Sequence, residues 1–184
     1  CYYENLPKNW VKCRLLDIAD FERGITFSAS AKEIINTEKN IACIRTANVQ
    51  DELDLSDLIY VDKNYTKHND RKLLRVGDII MSSANSKELV GKSCIVKHIE
   101  NEMTFGGFVL VIRTTHIIPD FLFFYLKCLF LKGAFYNKST QTTNIANIST
   151  KALEALEISL PPLIEQKRIV DKIAMLFSIL KDEG

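Results

Sequence analysis

The feature that most constrains the fold is a series of short apolar segments in the first 115 residues, each of strand length and bounded by turn residues. Val, Ile and aromatic side chains recur in these segments, which is typical of β-strands. Short strands at such close spacing predict a twisted, partly barrel-like antiparallel sheet. The segments are residues 10–14, 41–45, 58–62, 79–81, 93–98 and 108–113.

A change of composition at Pro119 predicts helices in the remainder of the chain. Residues 121–135 are apolar on almost every face, which is typical of a buried helix. Residues 157–160 return to an extended pattern, and Pro161 and Pro162 separate them from a new helix over residues 163–181. We therefore expect an α+β fold: a sheet domain over residues 1–160 with a helix packed on it, followed by a long C-terminal coiled-coil helix within residues 161–184.

The C-terminal helix carries an apolar stripe. Its members recur at spacings of four, three and four residues, a heptad-like pattern that indicates a coiled coil or a partner-binding face. The alternative is a core helix of the same domain, and periodicity alone does not distinguish the two. The predicted partner-binding residues are Ile169, Ile173, Leu176, Phe177 and Leu180.

Charge and cysteine content exclude several classes of protein. The net charge is only +1, but residues 51–62 hold five acids and no base, whereas residues 121–153 hold no acid. Such segregation allows one basic face. Five cysteines without a CxxC pair predict a reduced, cytoplasmic protein with neither disulfides nor a zinc site. We see no apolar run of about 18 residues, so we expect no membrane span.

A search for catalytic signatures finds none. Phosphate-binding glycine loops, a nucleophile elbow and metal-ligand spacings are all missing from the sequence, so we predict no metal site and no catalytic residue. The best candidate for a metal-dependent nuclease combines Asp120 with Glu165 and Lys167. Residues 165 and 167 are only two apart at the start of a helix and so lie on different faces.

Three polar segments, residues 23–32, 82–92 and 138–144, interrupt the apolar scaffold with the donors that proteins use on nucleic acids. Asn, Gln and Arg can bind base edges, and Lys, Ser and Thr reach phosphates. Solvated loops are the alternative explanation. The candidate DNA-binding residues are Arg23, Thr26, Ser28 and Lys32; Arg45 and Asn48 at a strand end; Ser83, Asn85, Lys87 and Lys92; and Lys138, Thr140, Gln141, Thr143 and Asn144. For Arg45, a strand-end salt bridge is an equal alternative.

The pattern PPL-x-EQ-x-x-IV over residues 161–170, at a strand-to-helix junction, resembles the specificity subunit of type I restriction–modification enzymes. Weaker matches follow in the expected order: LPKNW at residues 6–10, IRTANV at residues 44–49, GDII at residues 77–80 and the helix over residues 121–131. The resemblance covers residues 6–181. It implies one target recognition domain followed by the start of a connector helix.

The resemblance also implies a function. Such a chain would recognise one half of a split double-stranded DNA target and direct methylation and restriction by partner subunits, with no chemistry of its own. S-adenosylmethionine, ATP and magnesium would belong to the methyltransferase and motor subunits. The chain would be a fragment, or a half-subunit that forms a homodimer through its C-terminal helix. The alternatives are a stand-alone metal-dependent nuclease and a structural coiled-coil adaptor that does not bind DNA.

Overall fold

The computed structural model describes residues 6–141 and 145–182, which form strands and four α-helices. The strands are β1 (Val11–Arg14), β2 (Ala19–Arg23), β3 (Asn40–Ile44), β4 (Ile59–Asp62), β5 (Ile79–Ser82), β6 (Ala84–Asn85), β7 (Ser93–Ile95), β8 (Met103–Phe105), β9 (Val109–Thr114), β10 (Thr140–Gln141), β11 (Ala146–Asn147) and β12 (Glu157–Leu160). The helices are α1 (Pro119–Leu131), α2 (Ala134–Asn137), α3 (Thr150–Glu154) and α4 (Leu163–Asp182).

The strands form separate sheets instead of the predicted partly barrel-like one. The largest sheet has the antiparallel order β2-β9-β5-β7, and β4-β3-β8 form a second sheet in which β3 and β8 run parallel. Two smaller sheets pair β10-β11-β6 and β1-β12. Isolated bridges, Ile25 with Gly106 and Glu33 with Tyr60, link the chain after β2 to the second sheet, but no ladder joins the two sheets, so the described strands do not close into a barrel.

The two central strands of the largest sheet, β5 and β9, are buried on both faces. Because side chains alternate along a strand, each strand contributes to two apolar cores. Ile79, Met81, Leu110 and Ile112 pack into the core that contains α1. Ile80, Val109 and Val111 pack on the other face with residues that include Ile44 and Phe105. This double burial explains why both strands are apolar runs and not alternating ones.

Polar segments therefore leave this sheet only at its ends. Arg23 at the end of β2 pairs with Leu110, and Ser82 at the end of β5 pairs with Val109 at the start of β9. The segments 23–32, 82–92 and 106–108 thus all lie at one end. The opposite end of β9 leads to α1, so the chain enters its first helix from the end of the sheet away from these segments.

The long helices pack against each other. The apolar helix predicted over residues 121–135 is present but ends at Leu131, and α2 follows Gly133, whose positive φ of 69° favours glycine. The predicted C-terminal helix is also present as α4, which packs on α1 with the rings of Phe124 and Phe177 stacked 6.3 Å apart. The structure ends with this helix, and a coiled coil stays a prediction.

A buried ion pair joins β9 to the start of β5. The Asp78 carboxylate accepts from the Arg113 guanidinium at 2.9 and 3.0 Å and from the Arg75 amide at 2.9 Å. Arg113 also donates to the Leu73 carbonyl oxygen at 2.6 Å. These contacts hold residues 71–78 against the sheet. Removal of either partner would leave a buried charge unpaired.

A second charged cluster holds the 3₁₀ turn Asp70–Lys72 against β2. Arg71 donates to the Glu22 carboxylate at 2.8 Å, and Lys72 forms hydrogen bonds with Glu22 and with the Arg23 carbonyl oxygen. Burial acts to raise the pKa of Glu22, but the hydrogen bonds from Lys72 and Arg71 outweigh it and lower that pKa from 4.5. Glu22 thus stabilises the fold in its ionised form.

We predict that Glu22→Gln lowers the free energy of unfolding at about pH 7 but not at low pH. The pKa of Glu22 in the folded protein is lower than its ordinary value of 4.5. Its stabilisation is therefore complete above pH 4.5 and is lost as the pH falls through the pKa of the folded state. Urea unfolding of the two proteins between about pH 7 and about pH 3 measures the difference. Glu102→Gln, at an exposed acid with no ion pair among the described residues, is the control. A difference that is constant with pH would contradict the prediction.

Candidate nucleic-acid interface

The 23–32 segment meets the turn over residues 106–108. The Ile25 amide donates to the Phe105 carbonyl oxygen at 2.8 Å, and the Gly24 amide donates to the Val109 carbonyl oxygen at 3.2 Å. At Gly24 the two backbones approach so closely that an added Cβ would lie 2.2 Å from the Gly106 carbonyl oxygen. Only glycine fits at this contact.

The 82–92 segment meets the same turn from the neighbouring strand. The Ser83 amide and hydroxyl both donate to the Phe108 carbonyl oxygen at 2.9 Å. The Ser83 carbonyl oxygen in turn accepts from the Ile148 amide at 2.8 Å. The 106–108 turn is therefore connected through one serine to the chain that follows β11.

The third polar segment joins the other two through strand pairing and one arginine. Strand β6 pairs with β11, and β11 pairs with β10, which lies in the 138–144 segment. Arg23 donates to the Thr150 hydroxyl at 3.3 Å and to the Ile148 carbonyl oxygen at 3.5 Å. The structure thus brings residues 23–32, 82–92 and 138–141, which are far apart in sequence, together at one end of the four-stranded sheet.

Several candidate side chains of the three segments are exposed. Lys87 lies over the Tyr136 ring, with its Nζ 4.6 Å from the ring centroid, and Thr140 donates to the Asn147 carbonyl oxygen at 3.3 Å. Ser28 and Ser30 share a hydrogen bond of 2.8 Å. The exposed candidates are Arg23, Thr26, Ser28, Lys32, Lys87, Lys138 and Thr140.

Two candidates, Asn48 and Ser83, are buried, contrary to the prediction that they face DNA. The Asn48 amide group donates to the carbonyl oxygens of Asp54 and Asp57, and its Oδ1 accepts from the Arg45 amide at 2.8 Å. The Ser83 hydroxyl binds the 106–108 turn. Their polar atoms satisfy buried backbone groups, which is the commoner role of such residues inside a fold.

The side chains of three further candidates form contacts with other residues of the protein. Arg45 forms the strand-end salt bridge that was its alternative interpretation, with Nη2 2.8 Å from the Asp57 carboxylate. The half-buried Asn85 donates to the Ser82 hydroxyl at 3.0 Å, and Lys92 donates to Gln50 Oε1 at 2.5 Å. The exposed Gln50 is a polar residue of this region that the sequence patterns did not single out.

The remaining candidates belong to the third segment. Gln141 lies in β10, but its side chain is outside the described part of the structure. Thr143 and Asn144 lie outside the described residues altogether. For these three residues DNA binding stays a prediction.

The EQ dipeptide of the sequence pattern lies at the junction between α4 and the sheet domain. Gln166 is buried; its Oε1 accepts from the Ile118 amide at 3.0 Å, and its Nε2 donates to the Pro161 carbonyl oxygen at 2.9 Å. Ile118 immediately precedes α1, so one side chain satisfies the backbone amide at the N-cap of α1 while it orients the start of α4. Glu165 forms a surface pair with Arg168 at 2.7 Å.

The apolar stripe of α4 is only partly covered. Ile169 and Ile173 are half-buried, whereas Leu176, Phe177 and Leu180 are 51%, 50% and 66% exposed. Phe177 contacts α1, so the core-helix alternative accounts for part of the stripe. Partner binding by the stripe stays a prediction.

The nuclease candidate does not assemble. Asp120 pairs with Lys97, and Glu165 pairs with Arg168. In residues 6–141 and 145–182, no group of three His, Cys, Asp or Glu side chains is close enough to hold a metal ion. No helix in those same ranges is sufficiently long and apolar to cross a membrane.

Comparison with known proteins defines the class. Residues 7–182 match the family described as "Type I restriction modification DNA specificity domain". This match covers nearly the whole chain. The protein belongs to that family.

Curated proteins similar to this chain are specificity subunits. The chain is 31% identical over 177 residues to the specificity subunit of the type I restriction enzyme EcoKI from Escherichia coli (strain K12). The match covers 94% of this chain and 37% of the relative. It is 28% identical over 175 residues to the StySPI specificity subunit of Salmonella potsdam, with the same coverage of 94% and 37%. The chain thus spans less than half the length of these relatives.

Solved structures share the fold. The HsdS subunit from Thermoanaerobacter tengcongensis has a TM-score of 0.69 and 21% identity, over 100% of this chain and 42% of that one. A chain from a structure described as the "complex assembly and conformational transition of the type I R-M system" has a TM-score of 0.71 and 22% identity, over 99% and 42%.

The contact at Gly24 yields a stability prediction. We expect Gly24→Ala to lower the free energy of unfolding by about 1–3 kcal/mol, because the new Cβ would overlap backbone atoms that cannot rotate away. Gly107→Ala is the matched control in the facing turn, since its nearest contacts would be at 3.4 Å. Urea denaturation compares the two variants, and equal stability of both would contradict the close approach.

Proposed function

We propose that this chain recognises one part of a split DNA target within a type I restriction–modification complex and leaves the chemistry to partner subunits. The observation that carries the proposal is the meeting of three polar segments at one end of the four-stranded sheet. Membership of the specificity family supports it, and so does the position of α4, which begins beside the opposite end of that sheet.

The exposed side chains divide by chemistry into two groups. Lys32, Lys87 and Lys138 would bind phosphates, which supply affinity without sequence information. Thr26, the half-buried Asn85 and the Arg23 donors that do not bind Thr150 or Ile148 would bind base edges. Buried candidates such as Asn48 hold the backbone from which these groups project.

The partners follow from the length of the chain and the exposed stripe of α4. The chain covers 37% of its curated relatives, which fits one recognition domain with its connector helix. Leu176, Phe177 and Leu180 would be covered by a second connector helix, from the same subunit or a second copy, and by a methyltransferase subunit. Restriction subunits would attach indirectly. S-adenosylmethionine, ATP and magnesium would act in those subunits, in the cytoplasm.

The test of DNA recognition uses the chain assembled with its methyltransferase subunits and a pool of random-sequence duplexes. Selection should recover one defined sequence. Lys87→Ala and Lys138→Ala should each weaken binding to every sequence and reduce the slope of log affinity against log salt by about one. Lys12→Ala, at an exposed lysine on β1, is the control. Recovery of no sequence preference would refute the proposal.

The stripe of α4 has its own test. We expect Leu176→Glu with Leu180→Glu to abolish self-association and methyltransferase binding, because two charges would have to be desolvated in an apolar interface. Light scattering and pull-down assays measure the loss, and circular dichroism should show the sheet domain still folded. Ile164→Glu, 84% exposed at the start of α4, is the control. Unfolding of the domain would instead identify the stripe as core, and an unchanged assembly would place the interface elsewhere.

A further inference from the structure

Phe108 places a large apolar side chain among the polar side chains of the candidate interface. It is 67% exposed, although the next four residues of the chain are buried in β9. It belongs to none of the apolar cores formed by the described residues. Isolated exposed apolar residues are common on protein surfaces, so the exposure alone indicates nothing.

The backbone around Phe108 is held by hydrogen bonds on both sides of the residue. Its carbonyl oxygen accepts two hydrogen bonds from Ser83, and the Val109 amide donates to the Gly106 carbonyl oxygen at 2.8 Å. The Gly106 amide donates to the Ile44 carbonyl oxygen at 2.9 Å. A side chain on such a backbone starts from a defined position, so little conformational freedom is lost on binding.

Phe108 also lies between the polar segments. One neighbour, Gly107, has the Thr26 hydroxyl 3.4 Å from where its Cβ would be, and the carbonyl of Phe108 is bound by Ser83, next to β6. Residues of the 23–32 and 82–92 segments therefore flank its backbone. A DNA molecule bound by the exposed side chains of those segments would have Phe108 against it.

We propose that Phe108 contacts the C5-methyl group of a thymine in the major groove and thereby sets one base preference of the target. Thymine is the base whose major-groove edge presents an apolar group, and a phenyl ring is a known partner for it. The flanking hydroxyl, amide and ammonium groups would bind the polar edges and phosphates around it. This inference rests on the proposed function.

A double-mutant cycle tests the contact. The target is first selected from random-sequence duplexes with the chain and its methyltransferase subunits, and each thymine is then replaced by deoxyuridine, which removes only the methyl group. We expect one replacement to weaken binding of the unaltered protein by about threefold to tenfold. Phe108→Ala should weaken binding similarly and should be insensitive to that same replacement. Phe108→Leu, which keeps an apolar contact, should retain the sensitivity.

The outcomes separate this inference from the function on which it rests. If a target is selected but every deoxyuridine effect persists in Phe108→Ala, or if this variant weakens all sequences equally, the thymine contact is wrong and DNA recognition stands. A selected target without a sensitive thymine leads to the same conclusion. If the unaltered protein selects no sequence, both fail. Val76→Ala, at a 65% exposed residue near the other end of β5, is the control, and thermal melting confirms that the variants are folded.

Discussion

Burial of β5 and β9 on both faces is the constraint on which the rest of the molecule depends. Strands covered on both sides have no free face for polar side chains, so a binding surface can form only where the strands end. One end carries the three polar segments and the 106–108 turn. The other leads through Ile118 to α1 and, through Gln166, to α4. Under the proposed function, recognition and assembly would use different ends of one sheet.

At the end of the sheet that carries the polar segments, backbone hydrogen bonds hold the chain, together with the Ser83 hydroxyl and the Arg23 guanidinium. Gly24 permits the 23–32 segment to approach the 106–108 turn, and Ser83 links that turn to the chain after β11. Buried polar residues such as Asn48 bind backbone groups of other residues and so belong to this framework.

Much of the architecture could be predicted from the sequence, and the failures have physical causes. Strands β3, β4, β5 and β9 and helices α1 and α4 follow from apolar patterns that are strong locally. Strand β2 contains Asp20, Glu22 and Arg23, and it forms because β9 offers an edge to pair with. The prediction of a partly barrel-like sheet was wrong because β3 pairs with β4 and β8 instead of extending the sheet of β5 and β9.

The sequence by itself determined where most elements lie, which segments carry donors for nucleic acid, and, through the PPL-x-EQ pattern, the family to which the chain belongs. Only the tertiary structure decided which of those donors are free. Ser83 and Arg23 bind partners 25 and 127 residues away, respectively, and no local pattern encodes such pairs. The exposure of Phe108 was decided in the same way, because the turn that presents it is fixed by contacts from segments distant in the chain.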